Sequence, residues 1–176
     1  MVGRLELIIG NMFSGKSTEL IRRINVTKSI VKKVLVINYL HDNRYDTNSV
    51  ATHDRKMVNC LKLEKLDTIL VDDYDAIFID EGQFFTDLLM VVTQWVDVLG
   101  KYVVVSGLDG DVNRKPFGDI IKLIPICDQV NKLVAYCNIC KDGTLAPFTK
   151  KLTKFTGNVI DIGGSDKYIP VCRKCY

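Results

Sequence analysis

Long hydrophobic runs are absent from this sequence of 176 residues. No apolar stretch approaches the roughly 20 residues that a membrane-spanning helix needs. The first ten residues also lack the apolar core of a secretory signal. We therefore expect a cytoplasmic protein with no membrane partner.

A large charge excess is also lacking, because 24 Lys and Arg residues oppose 21 Asp and Glu, for a net charge of +3. Nucleic-acid-binding surfaces normally carry a concentrated basic stripe, so we expect no nucleic-acid partner. Apolar residues are not scarce, at 47% of the chain. This composition predicts a folded protein with one sizeable core and at most a small appendage.

Four apolar runs of strand length, LELIIG, KKVLVINY, DAIFID and KYVVVSG, alternate with stretches long enough for helices. Residues 17–30 have apolar side chains at helical spacing and are predicted to form a helix. Residues 86–100 are predicted to form a second helix, which Thr86 would cap at its start and Gly100 would end. The alternation predicts an α/β fold with a parallel sheet, whose ligands bind at the carboxyl ends of the strands.

Residues 10–17, GNMFSGKS, match the full phosphate-loop pattern, between a predicted strand and a predicted helix. In such a loop, backbone N–H groups and the helix N-terminus face the phosphates of ATP or a similar nucleotide. Lys16 would reach the outer phosphates and Ser17 would ligate Mg²⁺. The predicted nucleotide-binding residues are Gly10, Asn11, Met12, Phe13, Ser14, Gly15, Lys16, Ser17 and Thr18.

Two adjacent carboxylates, Asp80 and Glu81, follow the apolar run AIFI. Neighbouring residues on a strand point to opposite sides, so the two carboxylates have different roles. Asp80 suits Mg²⁺, and Glu81 suits acceptance of a proton from an attacking hydroxyl or water. From these residues alone, ATP hydrolysis and phosphoryl transfer remain equally open.

Four of the six cysteines form two CxxC pairs, Cys137 with Cys140 and Cys172 with Cys175. In a reducing compartment disulfides are not expected, whereas four thiolates at this spacing can complete a tetrahedral Zn²⁺ site. Such a site has no open position, so its role would be structural. Two redox motifs or unrelated thiol pairs are the alternative.

The composition of the sequence changes after about residue 136. Apolar residues no longer recur at regular spacing, and glycine, lysine and the cysteine pairs become frequent. We predict a phosphate-loop ATP-binding domain over 1–136 and a zinc-binding domain over 137–176.

Several motifs occur together and in order: MFSGKSTELIRR, DNRYDT, DEGQFF, LDGDVNRKPFGDI, and CxxC pairs flanking IGGSDKYIPV. Over nearly the whole chain, this combination resembles the tetrameric, zinc-binding class (type II) of thymidine kinases of cells, bacteria and large DNA viruses. The resemblance implies a RecA-like domain and a zinc-held lasso that closes over the thymine. It also implies transfer of the γ-phosphate of ATP to the 5′-hydroxyl of thymidine, a homotetramer, and feedback inhibition by dTTP.

The resemblance implies roles for individual residues. Glu81 corresponds to the general base, Asp80 and Ser17 to the Mg²⁺ site, and Arg44 to a loop near the phosphates. The implied nucleoside-binding positions are Met12, Gln83, Phe84, Leu108, Val112, Phe117, Thr149, Val159, Asp161, Gly163 and Tyr168.

The chain departs from the resemblance at Asn11, where the family commonly has proline, and at Val112, where an aromatic residue often covers the nucleoside. Val112 predicts a roomier pocket. The alternative function is a nucleic-acid-stimulated ATPase with the zinc module as a binding ribbon, which the weak net charge disfavours. A nucleotide sensor without turnover would require an incomplete catalytic set, and this set is complete.

Overall fold

The computed structural model of the chain describes residues 2–31, 33–42, 49–51, 57–152 and 166–176. In chain order, the strands and α-helices are β1 (Arg4–Gly10), α1 (Lys16–Lys28), β2 (Val34–Tyr39), β3 (Ser49–Ala51), β4 (Met57–Asn59), β5 (Leu61–Leu63), β6 (Ala76–Ile79), α2 (Leu88–Thr93), β7 (Tyr102–Gly107), β8 (Gln129–Leu133), β9 (Ala135–Tyr136), β10 (Leu145–Ala146), β11 (Phe148–Lys151) and β12 (Tyr168–Val171). Short 3₁₀ segments span Leu66–Thr68, Gly82–Phe84 and Ile120–Ile126.

The central sheet has six strands in the order β5-β2-β6-β7-β1-β8, and every adjacent pair is parallel. Side chains alternate across it: Leu5, Leu7 and Ile9 of β1 join the core on the α2 face, and Ile8 joins the core on the α1 face. Burial on both faces explains the continuous apolar strands. The predicted α/β fold with a parallel sheet is confirmed, and the carboxyl ends of the strands meet at one edge.

Two strands of this sheet were missing from the prediction. β5 and β8 lie at the two edges, and β8 carries mostly exposed or half-buried side chains. An edge strand faces solvent along one side, so its sequence need not be a continuous apolar run. The sequence DQVNKL, which contains β8, therefore lacks the continuous apolar run that indicated the central strands.

The second helix begins at Leu88, two residues after the threonine predicted to cap it. The preceding residue, Asp87, does not cap α2 with its side chain. Instead its Oδ2 accepts hydrogen bonds from the N–H groups of Leu66 (2.8 Å) and Asp67 (3.0 Å). The N-cap position of α2 is thus Asp87, and the prediction that Thr86 caps this helix was wrong. The Asp87 carboxylate is instead bonded to the turn at Leu66 and Asp67. α2 continues into a π-helical segment, Gln94–Val98.

A small module surrounds the cysteine pairs. β9 pairs with β10 and β11 pairs with β12, both antiparallel. These hairpins enclose their own apolar cluster, whose buried members are Ala135, Cys137, Ala146, Val171 and Cys172. We call residues 135–152 and 166–176 the zinc module. The division into domains at residue 136 stays a prediction. Within the described ranges, no helix is both long enough and apolar enough to cross a membrane.

Candidate active site

The phosphate loop leaves the carboxyl end of β1 and enters α1. Gly10 has φ +151°, and a Cβ there would lie 2.2 Å from the carbonyl oxygen of Leu133 on β8. Gly15 is left-handed, at φ +85°, and apart from its neighbours in sequence no atom of the described residues comes within 4 Å of where its Cβ would be. Gly10 must be glycine because the backbone of Leu133 lies too close for a side chain. Gly15 is favoured as glycine because the turn into α1 needs a left-handed conformation.

Lys16 lies folded over this loop and is buried. Its ammonium Nζ donates to the carbonyl oxygen of Asn11 at 2.7 Å, and the Ser14 hydroxyl donates to the same oxygen at 2.8 Å. The loop therefore carries a fixed positive charge beside the N-terminus of α1, which is the arrangement that attracts phosphate.

Ser17 and Asp80, predicted to share a magnesium site, are in contact. The Ser17 hydroxyl donates to Asp80 Oδ2 at 3.1 Å, and Asp80 Oδ1 accepts the backbone N–H of Glu81 at 3.0 Å. A hydroxyl and a carboxylate are hard oxygen ligands of the kind that Mg²⁺ prefers in nucleotide sites. The residues thus fit the ion, whose coordination they would share with nucleotide phosphates and water.

Glu81 is buried and held in the left-handed region at φ +56°. A non-glycine residue in this region is uncommon and often marks a functional position. The Gln83 amide Nε2 donates to Glu81 Oε2 at 2.5 Å, and Gln83 Oε1 accepts the backbone N–H of Leu108 at 2.9 Å. Glu81 therefore stands next to the Asp80 site with its carboxylate fixed by a neighbour.

Aromatic rings line the same end of the sheet. Phe84 stacks on Tyr39 with ring centroids 5.0 Å apart, and Phe117 meets Phe84 edge-to-face at 5.5 Å. The sequence predicted Phe84 and Phe117 as nucleoside-binding residues but missed Tyr39. Because Tyr39 ends a predicted strand, its position at the carboxyl edge could have been read from the sequence. The three rings form an aromatic cluster at this edge, of the kind that can pack against a nucleobase.

The zinc module is bonded directly to the phosphate loop. The backbone N–H of Met12 donates to Thr149 Oγ1 at 3.0 Å, and the Asn11 side-chain amide donates to the carbonyl of Phe148 at 3.3 Å. Phe13, left-handed at φ +65°, packs against the apolar cluster of the module. Thr149 and Met12 were both predicted to bind the nucleoside, and in this structure they are bonded to each other.

The module also contacts the loop after β7. The Tyr176 hydroxyl donates to the carbonyl of Val112 at 2.5 Å, and the Arg114 guanidinium lies 4.1 Å from the centre of the Tyr176 ring. Arg114 also lies 5.3 Å from the centre of the Phe148 ring. Sequence reasoning missed both residues. Arg114 lies within the motif LDGDVNRKPFGDI, but neither that motif nor the sequence around Tyr176 indicates which distant residues they contact.

The four predicted zinc ligands, Cys137, Cys140, Cys172 and Cys175, come together with all sulfur atoms within 4.8 Å of one another. Cys140 Sγ lies 3.8 Å from Cys172 Sγ and 3.5 Å from Cys175 Sγ. Tetrahedral Zn²⁺ with bonds of about 2.3 Å places its sulfurs about 3.8 Å apart, so this cluster fits zinc.

The ionisation of the thiols is linked within the cluster. A hydrogen bond from the Cys140 backbone lowers the pKa of Cys137 to about 6. Hydrogen bonds with other thiols, the largest with Cys175, raise the pKa of Cys140 to about 12. Without a cation the four sulfurs cannot all be thiolates, and zinc would supply the charge that permits it.

Of the predicted site residues not yet described, two lie in the described part of the chain and four do not. Tyr168 is buried on β12, with the Lys151 ammonium 6.0 Å from its ring centre, and Thr18 is exposed on α1. Four predicted residues lie outside the described ranges, namely Arg44, Val159, Asp161 and Gly163.

Comparison with known proteins gives a consistent result. Residues 3–176 match the family model described as thymidine kinase. The chain is 46% identical over 176 residues to a thymidine kinase of Vaccinia virus (strain Western Reserve), covering 99% of this chain and 97% of that protein. A thymidine kinase of Variola virus is also 46% identical over 176 residues, with the same coverage. One from Oryza sativa subsp. japonica is 43% identical over 182 residues, covering 99% of this chain and 66% of that protein. The chain therefore belongs to the thymidine kinase family of enzymes.

Proposed function

We propose that this enzyme transfers the γ-phosphate of ATP to the 5′-hydroxyl of thymidine, giving dTMP for nucleotide salvage. One observation carries the proposal: Lys16, the Ser17–Asp80 pair and Glu81 lie at one edge of the sheet, next to the Phe84 surface. Groups suited to binding phosphate, ligating a metal ion and accepting a proton thus lie beside an aromatic cluster, which supports the proposal. The relatives described above are thymidine kinases, which supports thymidine as the acceptor.

In this proposal the protein acts mainly by positioning and by neutralising charge, as phosphoryl transfer requires. Lys16 and the N–H groups of the phosphate loop stabilise the charge on the transferring group. Glu81 accepts the proton of the attacking 5′-hydroxyl. Mg²⁺, held by Ser17 and Asp80 with the phosphates, would neutralise charge between the outer phosphates.

The nucleoside is proposed to lie against Phe84, between the loop carrying Leu108 and Val112 and the zinc module. Val112 offers less surface than an aromatic side chain would, which is the basis for expecting a roomier pocket. The other proposed nucleoside-binding residues are Met12, Gln83, Phe117, Thr149, Val159, Asp161, Gly163 and Tyr168. Arg44 is proposed to belong to a loop near the phosphates of the nucleotide.

Conversion of labelled thymidine to its monophosphate with Mg-ATP tests the acceptor, with deoxycytidine and deoxyguanosine in parallel. We expect thymidine to be converted at least about tenfold more efficiently than either, because mismatched bases leave buried polar groups unpaired. Equal conversion of all three would show that Val112 has opened the pocket. No conversion by zinc-loaded protein would contradict the proposal and favour an ATPase stimulated by DNA.

The Asp80→Asn variant tests the proposed magnesium site. We expect the Mg²⁺ concentration for half-maximal rate to rise at least about tenfold, because an amide oxygen lacks the charge that attracts the ion. The measurement is the initial rate at fixed ATP over a Mg²⁺ titration. Asp73→Asn changes an exposed carboxylate that forms an ion pair with Lys33, and serves as the matched control. An unchanged titration in Asp80→Asn would remove Asp80 from the site.

Zinc is proposed to hold the module together, with no part in the reaction. Assembly as a homotetramer and inhibition by dTTP are also proposed, on the family resemblance, as are a cytoplasmic location and the absence of a nucleic-acid partner. Sedimentation that shows only monomer at micromolar concentration would contradict the tetramer. Undiminished activity in excess dTTP would contradict feedback inhibition.

A further inference from the structure

We infer that Asn11 is a positioning residue that joins the phosphate loop to the zinc module, so that ATP on the loop and zinc in the module favour each other's binding. The inference rests on the proposed function in one respect, namely that the loop binds the phosphates of ATP. The phosphate-loop pattern itself places no requirement on the residue at this position. The bonds that Asn11 makes in two directions carry the inference.

The side chain of Asn11 faces the zinc module. Its amide Nδ2 donates to the backbone carbonyl of Phe148 on β11 at 3.3 Å and to the carbonyl of Met12 at 3.0 Å. A carbonyl oxygen can only accept, so the N–H₂ group of the amide must face these two partners. The Asn11 side chain therefore bridges the loop to β11 as a double donor.

The oxygen of the same amide contributes no bond. Asn11 is 3% exposed, and its Oδ1 accepts no hydrogen bond from the described residues. Burial of an acceptor without a donor is unfavourable, and an apolar side chain of similar shape would avoid this cost. The contribution of asparagine at this position therefore lies in the bonds that its N–H₂ group donates.

The backbone carbonyl of Asn11 is bonded on the nucleotide side. It accepts the ammonium Nζ of Lys16 at 2.7 Å and the hydroxyl of Ser14 at 2.8 Å. Lys16 is the residue proposed to reach the outer phosphates of ATP. Because the carbonyl and the amide belong to one residue, a shift of β11 that moves the Asn11 side chain also moves the acceptor that holds Lys16.

The next two residues of the loop contact the module as well. The Met12 N–H donates to Thr149 Oγ1 on β11 at 3.0 Å. Phe13 packs against the apolar cluster that includes Cys137 and Cys172. One side of the phosphate loop thus lies against a surface that is built around the cysteine sulfurs.

Release of zinc would disturb this contact. The four cysteines come from two segments of the module, and the second segment includes β12, which ends at Val171, immediately before Cys172. β12 pairs with β11, which carries Phe148 and Thr149. Separation of the two segments therefore displaces the strand to which Asn11 is bonded.

ATP and zinc are linked through this strand. The Asn11 carbonyl holds Lys16 beside the loop only while β11 is in place, so ATP binds the intact arrangement more tightly than the displaced one. A ligand that prefers one arrangement shifts the population toward it, and bound ATP thus opposes the displacement that releases zinc. The coupling of two binding free energies is reciprocal, so zinc in turn favours the binding of ATP.

The test is the rate of zinc transfer to a chromogenic chelator in the Asn11→Leu variant, which keeps a branched side chain and removes the donors. The quantity compared is the retardation factor, the rate without Mg-ATP divided by the rate in saturating Mg-ATP. We expect a factor of at least about five in the unmodified protein. The variant should lower it at least about threefold, because one hydrogen bond corresponds to roughly two- to tenfold in an equilibrium constant.

Asn25→Leu is the matched control, since it makes the same substitution at an exposed position of α1. Its retardation factor should equal that of the unmodified protein. All proteins receive the same concentration of ATP, so zinc that ATP takes up in solution contributes equally to each measurement. The experiment needs neither a nucleoside nor turnover.

A second variant, Asn11→Ala, removes the same donors without the bulk of leucine if Asn11→Leu folds poorly. We expect its retardation factor to fall in the same way, because the bond to Phe148 is lost in both variants. Melting temperatures of the zinc-loaded proteins show that each variant is folded before zinc release is measured.

The outcomes separate the inference from the proposed function. A retardation factor near one in unmodified protein that binds ATP would show that zinc and ATP are not coupled and would overturn the inference. Zinc release that accelerates by the same proportion with and without Mg-ATP would make Asn11 purely structural, which also overturns it. ATP affinity is measured in parallel by calorimetry. Absence of ATP binding to the unmodified protein would contradict the proposed function itself, and the inference with it.

Discussion

Replacement of Glu81 by glutamine is expected to lower turnover with thymidine by at least about two orders of magnitude while ATP still binds. The amide has nearly the same shape as the carboxylate but cannot accept the proton of the 5′-hydroxyl at neutral pH. The phosphate loop is unchanged, with Lys16 still bonded to Asn11. The measurements are steady-state kcat and, separately, ATP affinity by calorimetry without nucleoside.

The matched control for this experiment is Glu64→Gln, an exposed glutamate after β5. It undergoes the same chemical change at a residue with no proposed role and should retain full turnover. Near-normal kcat in Glu81→Gln would remove Glu81 as the base. Loss of ATP affinity together with kcat would instead indicate that the substitution disturbs Asp80, whose Oδ1 accepts the Glu81 backbone N–H.

The Cys172→Ser variant is expected to lose bound zinc, to melt at a lower temperature and to lose thymidine turnover. Metal binding contributes roughly 10–16 kcal/mol to folding in small zinc-finger peptides, and the apolar cluster of the module contains few residues to replace it. Serine cannot provide the thiolate that completes the tetrahedron. Zinc content by mass spectrometry and thermal unfolding, with and without a chelator, measure the effect.

Cys127→Ser is the control for that variant, since Cys127 lies outside the cluster and its thiol donates to the carbonyl of Ile124. It should keep one zinc per chain and, because Cys127 is only half-buried against the main core, a melting temperature within a few degrees of the unmodified protein. A Cys172→Ser protein that retains both zinc and its melting temperature would show that the cluster is not a zinc site.

Features that depend on local pattern were predictable from the sequence. The central strands could be recognised as continuous apolar runs, because both faces of a parallel sheet are covered. The contact between Ser17 and Asp80 followed from two motifs that the fold places at one edge. The cysteine spacing predicted a four-sulfur cluster, and the sulfurs do converge.

Features that depend on distant partners were not predictable. Nothing in the local sequence of Tyr176 indicates that its hydroxyl meets the carbonyl of Val112, and nothing around Asn11 indicates a bond to Phe148. Gln83 was chosen for its place in a motif, but its bond to Leu108 depends on how β7 ends. Such contacts are determined by tertiary packing, to which periodicity and motif spacing are insensitive.

The position of β1 has a consequence for how this protein folds. β1 lies between β7 and β8, so the first strand of the chain pairs only with strands from its later half. The bond between the Met12 N–H and Thr149 joins residues 137 positions apart. Contacts of such long range are closed late and slowly, because the chain must first lose the entropy of the intervening loop. The contacts that join β1 and the phosphate loop to β8 and Thr149 therefore cannot form until most of the chain has been synthesised.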